Sequence, residues 1–261
     1  MLESSHFTYN GESSKDYGVM LVKPDGGLYK ESFLPNRKLI EAKANGNPIP
    51  FFQRVDEGSL SFSLTLLIMD WDKRNNLRSI ARWLYQPYHK PLRFETNSDL
   101  EIHGMFVDKS ELSHNGLRDG FITLTFQASS PYIHSIPHKK VYSVYGSLTE
   151  QFYNNGDLPL KFKMTIENRI RGNVSITNDD NGDEFLLTDM FDGETIYAYC
   201  EHEYLISSLE ERLVRYLGDK HNDVWLVIPP ESKVNLTFIG NYNISLEYQY
   251  KYLTYDNELE W

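Results

Sequence analysis

The chain has 261 residues, 40% of them hydrophobic and 24% charged, with 18 Tyr, 14 Phe and a net charge of −11. That is the balance of a folded chain rich in β structure, long enough for one large domain or two ordinary ones. Its acidity denies it the cationic footprint that grips nucleic-acid phosphates, its single cysteine excludes an intramolecular disulfide, and no stretch approaches the ~18 apolar residues of a membrane-spanning helix.

The opening residues MLESSHFTYNGESSKDYG carry neither a basic region nor an apolar run, so no secretory leader is expected there. YGVMLV follows as a strand candidate. The sequence SLSFSLTLLI, residues 59–68, alternates strictly: Leu60, Phe62, Leu64, Leu66 and Ile68 share one face, and hydroxyl residues fill most of the other. Period-two alternation predicts a half-buried strand. LEIHGMFV and FITLTFQ repeat the pattern, the latter with Ile122, Leu124 and Phe126 inward.

One helix is expected in this half, over about residues 72–86. Leu77, Ile80, Ala81 and Leu84 fall at helical spacing. Asp70 or Asp72 suits its N-terminus, and Pro87 stops it. Arg74, Arg78 and Arg82 lie on the other face, either solvated or pairing with an acidic neighbouring subunit.

Between about residues 24 and 53 the alternation lapses. KPDGGLYKESFLPNRKLIEAKANGNPIPFFQ has prolines, two turn-like glycine sites and a central RKLIEAKA. So long a stretch without periodicity is unusual inside a domain and reads as an extended arm or hairpin. Its backbone groups and the side chains of Leu39, Ile40 and Ala42 need partners, which a neighbouring subunit would supply.

Residues 128–159 are rich in proline, Ser, Asn and Gly and read as a boundary with one strand candidate, KKVYSVYG. We therefore expect an N-terminal domain over 1–135, a connection over 136–157 and a C-terminal domain over 158–261. In the latter, LKFKMTIE, NVSIT, EFLLT, ETIYAYC, EYLISS, DVWLVI, KVNLTFI and YNISLEYQYKYL follow one another at the spacing of a β-sandwich. SLEERLVRYLGDKHN is the exception, either a short helix capped by Ser207 and Glu210 or a strand at RLVRYL.

No catalytic, cofactor or metal motif is present. The acidic stretch ITNDDNGDEFLLT invites a calcium reading, but with Gly182 as the sixth residue of such a loop the first and twelfth are Thr177 and Thr188, which lack the end ligands. NG between alternating runs predicts a hairpin turn instead. His103, His134 and His138 lack metal-ligand spacing, and Cys200 has no nucleophile signature around it. The residues describe a non-enzymatic β-rich assembly component.

The order of these segments resembles the distal tail (Dit) proteins of long-tailed, non-contractile bacteriophages. FTYNGESSKDYGVMLV is similar to the family's opening. The strand, helix and strand of SFSLTLLIMDWDKRNNLRSIARWLYQPYHKPLRFETN, the close at GFITLTFQASSPYIHS, and the ending DVWLVIPPESKVNLTFIGNYNISLEYQYKYL continue the likeness. The resemblance implies an N-terminal β-sandwich with a helix and an arm, and a C-terminal galectin-like β-sandwich. It also implies a homo-hexameric ring at the distal end of the tail in the virion, assembled in the host cytoplasm. The ring's partners would be the tail tube protein, the tail-associated lysin or tip protein, and receptor-binding proteins at the side. DNA would pass through the ring without being bound, and no cofactor or membrane would be involved. The alternative reading is a carbohydrate-binding β-sandwich adhesion module, although the H-x-N-x-R motif of galectins is missing and Trp225 is the one candidate stacking platform.

Overall fold

The computed structural model describes residues 4–22, 34–72, 76–108, 110–114, 119–209 and 220–254. It divides into two units, one comprising the chain up to Ser135 together with Tyr252, the other Ile136–Lys251. The protein is mainly β, as its alternation demands.

The first unit begins with β1 (Phe7–Tyr9), β2 (Glu12–Ser13), a single 3-10 turn and β3 (Val19–Leu21). The hairpin β4 (Asn36–Ala42) and β5 (Phe51–Gly58) follows, then β6 (Ser61–Ile68) and helix α1 (Asn76–Leu84). The unit continues with β7 (Lys90–Phe94), β8 (Asn97–Val107), β9 (Leu112–His114), β10 (Gly120–Ala128) and β11 (Ile133–Ser135). The sheet order is β2-β1-β7-β8-β10-β6-β3, with β9 added to β10 and β11 to β8. The two strands with the clearest alternation are partners: β6 and β10 pair antiparallel from Ile68↔Gly120 to Ser61↔Gln127. Leu64, Leu66, Ile68, Leu124 and Phe126 are buried between them, and Leu60, Phe62 and Ile122 pack at the margin of the same core.

Helix α1 differs from expectation in the face it buries. Ile80, Trp83 and Leu84 are inward, whereas Leu77 and Ala81 are exposed. The reason is Trp83, the largest side chain on the helix. Its indole N–H donates to the Tyr9 carbonyl at 2.9 Å, and its ring stacks on Phe7 and Tyr17 at centroid distances of 5.5 and 4.4 Å. Burying that area, with the N–H satisfied, outweighs burying a leucine and an alanine. Residues 73–75, where the cap would lie, are outside the described residues; Asp70 sits in the preceding turn at φ 51.

The second unit has β12 (His138–Asn154), β13 (Leu160–Lys161), β14 (Lys163–Asn168), β15 (Gly172–Asn178), β16 (Glu184–Met190), β17 (Thr195–Tyr199), β18 (Tyr204–Ser207), β19 (Val227–Ile228) and β20 (Ser232–Tyr248). The stretch expected to be a connection, 136–157, is therefore mostly strand. β12 pairs with β20 without interruption from His138↔Tyr248 to Asn154↔Ser232. On the other side of β20 lie β14 and β15, end to end: β14 against Tyr242–Glu247 and β15 against Leu236–Ile239. β17 and then β18 extend the sheet from β14, and β16 extends it from β15.

This one sheet folds over on itself because its two longest strands carry glycines opposite one another, Gly146 and Gly240, at φ 79 and φ 139. By alternation both fall in the row of buried side chains, between Val144 and Phe152 on β12 and between Phe238 and Tyr242 on β20, but at the bend Gly146 is exposed and Gly240 half-buried. A Cβ on Gly240 would stand 2.8 Å from the Asn173 carbonyl and 2.9 Å from the Tyr242 ring. The halves of the sheet on either side share a single core, which includes Ile166 and Ile196 from one half and Ile176 and Leu187 from the other. The result is the expected β-sandwich, made from bent strands.

Candidate functional site: an exposed hairpin arm

The hairpin β4–β5 is an arm. Among the described residues it joins no other sheet. Its register runs Asn36↔Gly58, Leu39↔Val55 and Ile40↔Arg54, then shifts by a bulge to Glu41↔Phe52 and Ala42↔Phe51. At the tip Asn47 donates its N–H to the Ala44 carbonyl at 3.1 Å and accepts from the Ile49 N–H at 3.0 Å through its side chain. Gly46, at φ 82, makes that turn. Charged pairs run along the strands, Arg37–Glu57 at 3.3 Å and Arg54–Asp56 at 2.8 Å, and Tyr132 donates a hydrogen bond to Glu57 near the base.

The sequence placed Leu39, Ile40 and Ala42 on this arm, and all three lie on β4. Leu39 is exposed, and Ile40 and Ala42 are half-buried. The arm extends past the expected limit at residue 53, to Gly58; residues 24–33 of the expected arm lie outside the described residues. Three larger apolar side chains at its far end were missed. Ile49, Phe51 and Phe52 are 72%, 59% and 64% exposed. The signal for them was present in PIPFF, an apolar run beside two prolines. A two-stranded hairpin without a third partner is marginal in water, and this one leaves a cluster of large apolar side chains exposed.

The other residues singled out from the sequence are structural. The acidic loop is a turn between β15 and β16. The Asp180 carboxylate accepts the Asn235 N–H at 3.2 Å, and Asp179 accepts the Thr237 hydroxyl at 2.8 Å, so both clamp the turn to β20. Cys200 is buried, and burial pushes its thiol up to about 12, far from the thiolate a nucleophile needs. Trp225 packs against Phe185 and His221 at 6.0 and 4.8 Å, and its N–H donates to Asp223 at 3.3 Å. Its ring is a lid on the core. His103 bonds Glu101, and His138 stacks on Tyr248. His134 lies at 6.1 Å from His103, edge to face. The SLEERLVRYLGDKHN segment falls mostly on residues 210–219, outside the described residues. Among the described residues no helix is long and apolar enough to cross a membrane.

Residues 2–130 match a family described as phage tail protein N-terminal domain, and residues 132–250 match one described as phage tail C-terminal domain. The chain belongs to this phage tail protein family. It is 26% identical to the SPbeta prophage-derived uncharacterized protein YomH of Bacillus subtilis (strain 168), over 96% of this chain and 99% of that one. Its fold is that of the SPP1 Dit protein. The two superpose with a TM-score of 0.65 at 12% identity, over 95% of this tail protein and 99% of the SPP1 chain, whose structure is presented as a paradigm of the hub adsorption apparatus in phages infecting Gram-positive bacteria.

Proposed function

We propose that this phage tail protein is the distal tail hub of a long-tailed, non-contractile phage. Six copies would close into a ring at the distal end of the tail, joining the tail tube protein to the tip protein or tail-associated lysin, with receptor-binding proteins at the side. The ring would leave a channel through which DNA passes, and the acidic chain would not hold its phosphates. The protein would act by assembly and not by catalysis.

The observation that carries this reading is the arm. A ring built head to tail needs two different surfaces on each subunit. An isolated hairpin with Leu39, Phe51 and Phe52 uncovered is the first of them, and the body of the next subunit would cover it. Phe51→Ser with Phe52→Ser in the full chain tests this. The expected result is an unchanged far-UV circular dichroism spectrum with the six-fold species in native mass spectrometry reduced to monomer. A variant that still forms the six-fold ring at micromolar concentration overturns the arm's role, and a strictly monomeric unmodified protein overturns the ring.

A further inference from the structure

The edge of β12 offers a second contact that does not depend on the arm or the ring. β12 pairs with β20 on one side, and among the described residues no strand pairs with its other side. Over residues 139–145 the pairing with β20 is regular, and of the usual guards of an open edge this stretch has neither proline nor bulge, only the charges of Lys139 and Lys140 at its start. The outward face of this limb carries the two most exposed large apolar side chains among the described residues of the second unit, Val141 at 65% and Tyr145 at 71%. The Arg169 guanidinium lies 4.2 Å from the Tyr145 ring centroid and covers one side of that ring.

We propose that β12 pairs edge to edge with β12 of a second copy, antiparallel, about a two-fold axis at Ser143. The sequence is self-complementary in that register. Each residue i meets residue 286 − i, so Val141 of one copy stands opposite Tyr145 of the other, twice by symmetry. An aromatic beside a β-branched residue is a favourable cross-strand pair. Ser143 meets Ser143. Within the limb Lys140 would meet Gly146, so the strand itself opposes no like charges, and both ammonium groups are already engaged, Lys139 with Glu247 at 3.1 Å and Lys140 over the Phe152 ring at 4.4 Å. The Arg169 guanidinium, which donates to the Ser143 hydroxyl at 3.0 Å, would lie beside the axis in both copies and keeps the pairing weak. Residue parity is conserved, so outward faces outward and the sheet continues across the axis. Gly146 ends the pairable limb because the strand bends there. The contact spans about seven residues, roughly 23 Å, so a weak, concentration-dependent dimer is expected. Isologous pairing of this kind is distinct from the head-to-tail contact of a ring.

Ser143→Cys in the full chain tests the axis. Directly opposed residues of an antiparallel pair have Cα atoms about 4.5–5.5 Å apart, within disulfide range. The only native cysteine, Cys200, is buried. Under mild oxidation the variant is expected to form a disulfide-linked dimer on a non-reducing gel at least tenfold faster than Gln151→Cys, which sits on the same strand beyond the bend. Adding Tyr145→Lys to Ser143→Cys should slow the linkage at least tenfold, with the melting temperature held. Linkage no faster than for Gln151→Cys, or unaffected by Tyr145→Lys, overturns the proposal. The arm variant Phe51→Ser/Phe52→Ser should link at the unmodified rate, which separates this contact from the ring.

Discussion

Tyr142 and Phe152 lie on one strand, ten residues apart, and their ring centroids are 6.4 Å from each other. A straight strand would separate them by about 33 Å. β12 therefore doubles back between them, and its partner does the same, since Tyr142 also reaches Phe238 at 5.7 Å. The sandwich of the second unit exists because both strands can bend at Gly146 and Gly240.

The two glycines should not be equivalent. Gly240→Ala puts a methyl within 3 Å of fixed atoms on Asn173 and Tyr242, at a positive φ, and should cost about 3 kcal/mol. Gly146→Ala meets nothing within 4 Å and pays only for its φ of 79, about 1 kcal/mol. Urea unfolding of both variants measures the difference. Equal losses would mean that backbone strain, and not the close approach at Asn173, governs the bend.

Glu101 should make the first unit acid-sensitive. Burial opposes its ionisation, but hydrogen bonds from His103 at 2.7 Å and from Arg93 at 2.9 and 2.7 Å outweigh that and hold its pKa below the ordinary 4.5. A carboxylate with a depressed folded pKa stabilises fully above its unfolded pKa and loses that contribution as pH falls through the folded one. Glu101→Gln is expected to lower stability at pH 7 by about 1–3 kcal/mol, and its melting curve should converge with that of the unmodified protein below pH 4. Parallel curves from pH 7 to pH 3 would rule this out.

The C-terminal unit should fold alone only if it keeps β12. Its core runs from Val144 to Leu246. We propose that a fragment of residues 136–251 melts cooperatively. A fragment of residues 158–261, the division suggested by composition, loses Val144 and Phe152 from that core and β12, the strand that pairs with β20 along its whole length, and should be molten or insoluble. Cooperative melting of the shorter fragment would return β12 to the status of a linker.

The sequence by itself determined the elements whose partners are generic. SLSFSLTLLI and FITLTFQ could be read as half-buried strands because alternation needs only some apolar surface on one side. NG between such runs had to be a turn, and RKLIEAKA, flanked by prolines and glycines, had to leave the domain. The helix was legible and its inward face was not, because Leu77 and Ala81 fit the spacing as well as Trp83. Only the distant Tyr9 carbonyl, with the Phe7 and Tyr17 rings, selects the indole. Residues 138–154 were legible as a strand only in part, at KKVYSVYG, for a related reason. Their apolar positions are interrupted by Gly146 and Glu150, and what makes them a strand is β20, 78 to 110 residues further along the chain by the paired positions Asn154↔Ser232 and His138↔Tyr248. The tertiary structure also decided which apolar residues of the arm stay uncovered. Exposure is a property of what fails to approach, and local pattern carries no record of that.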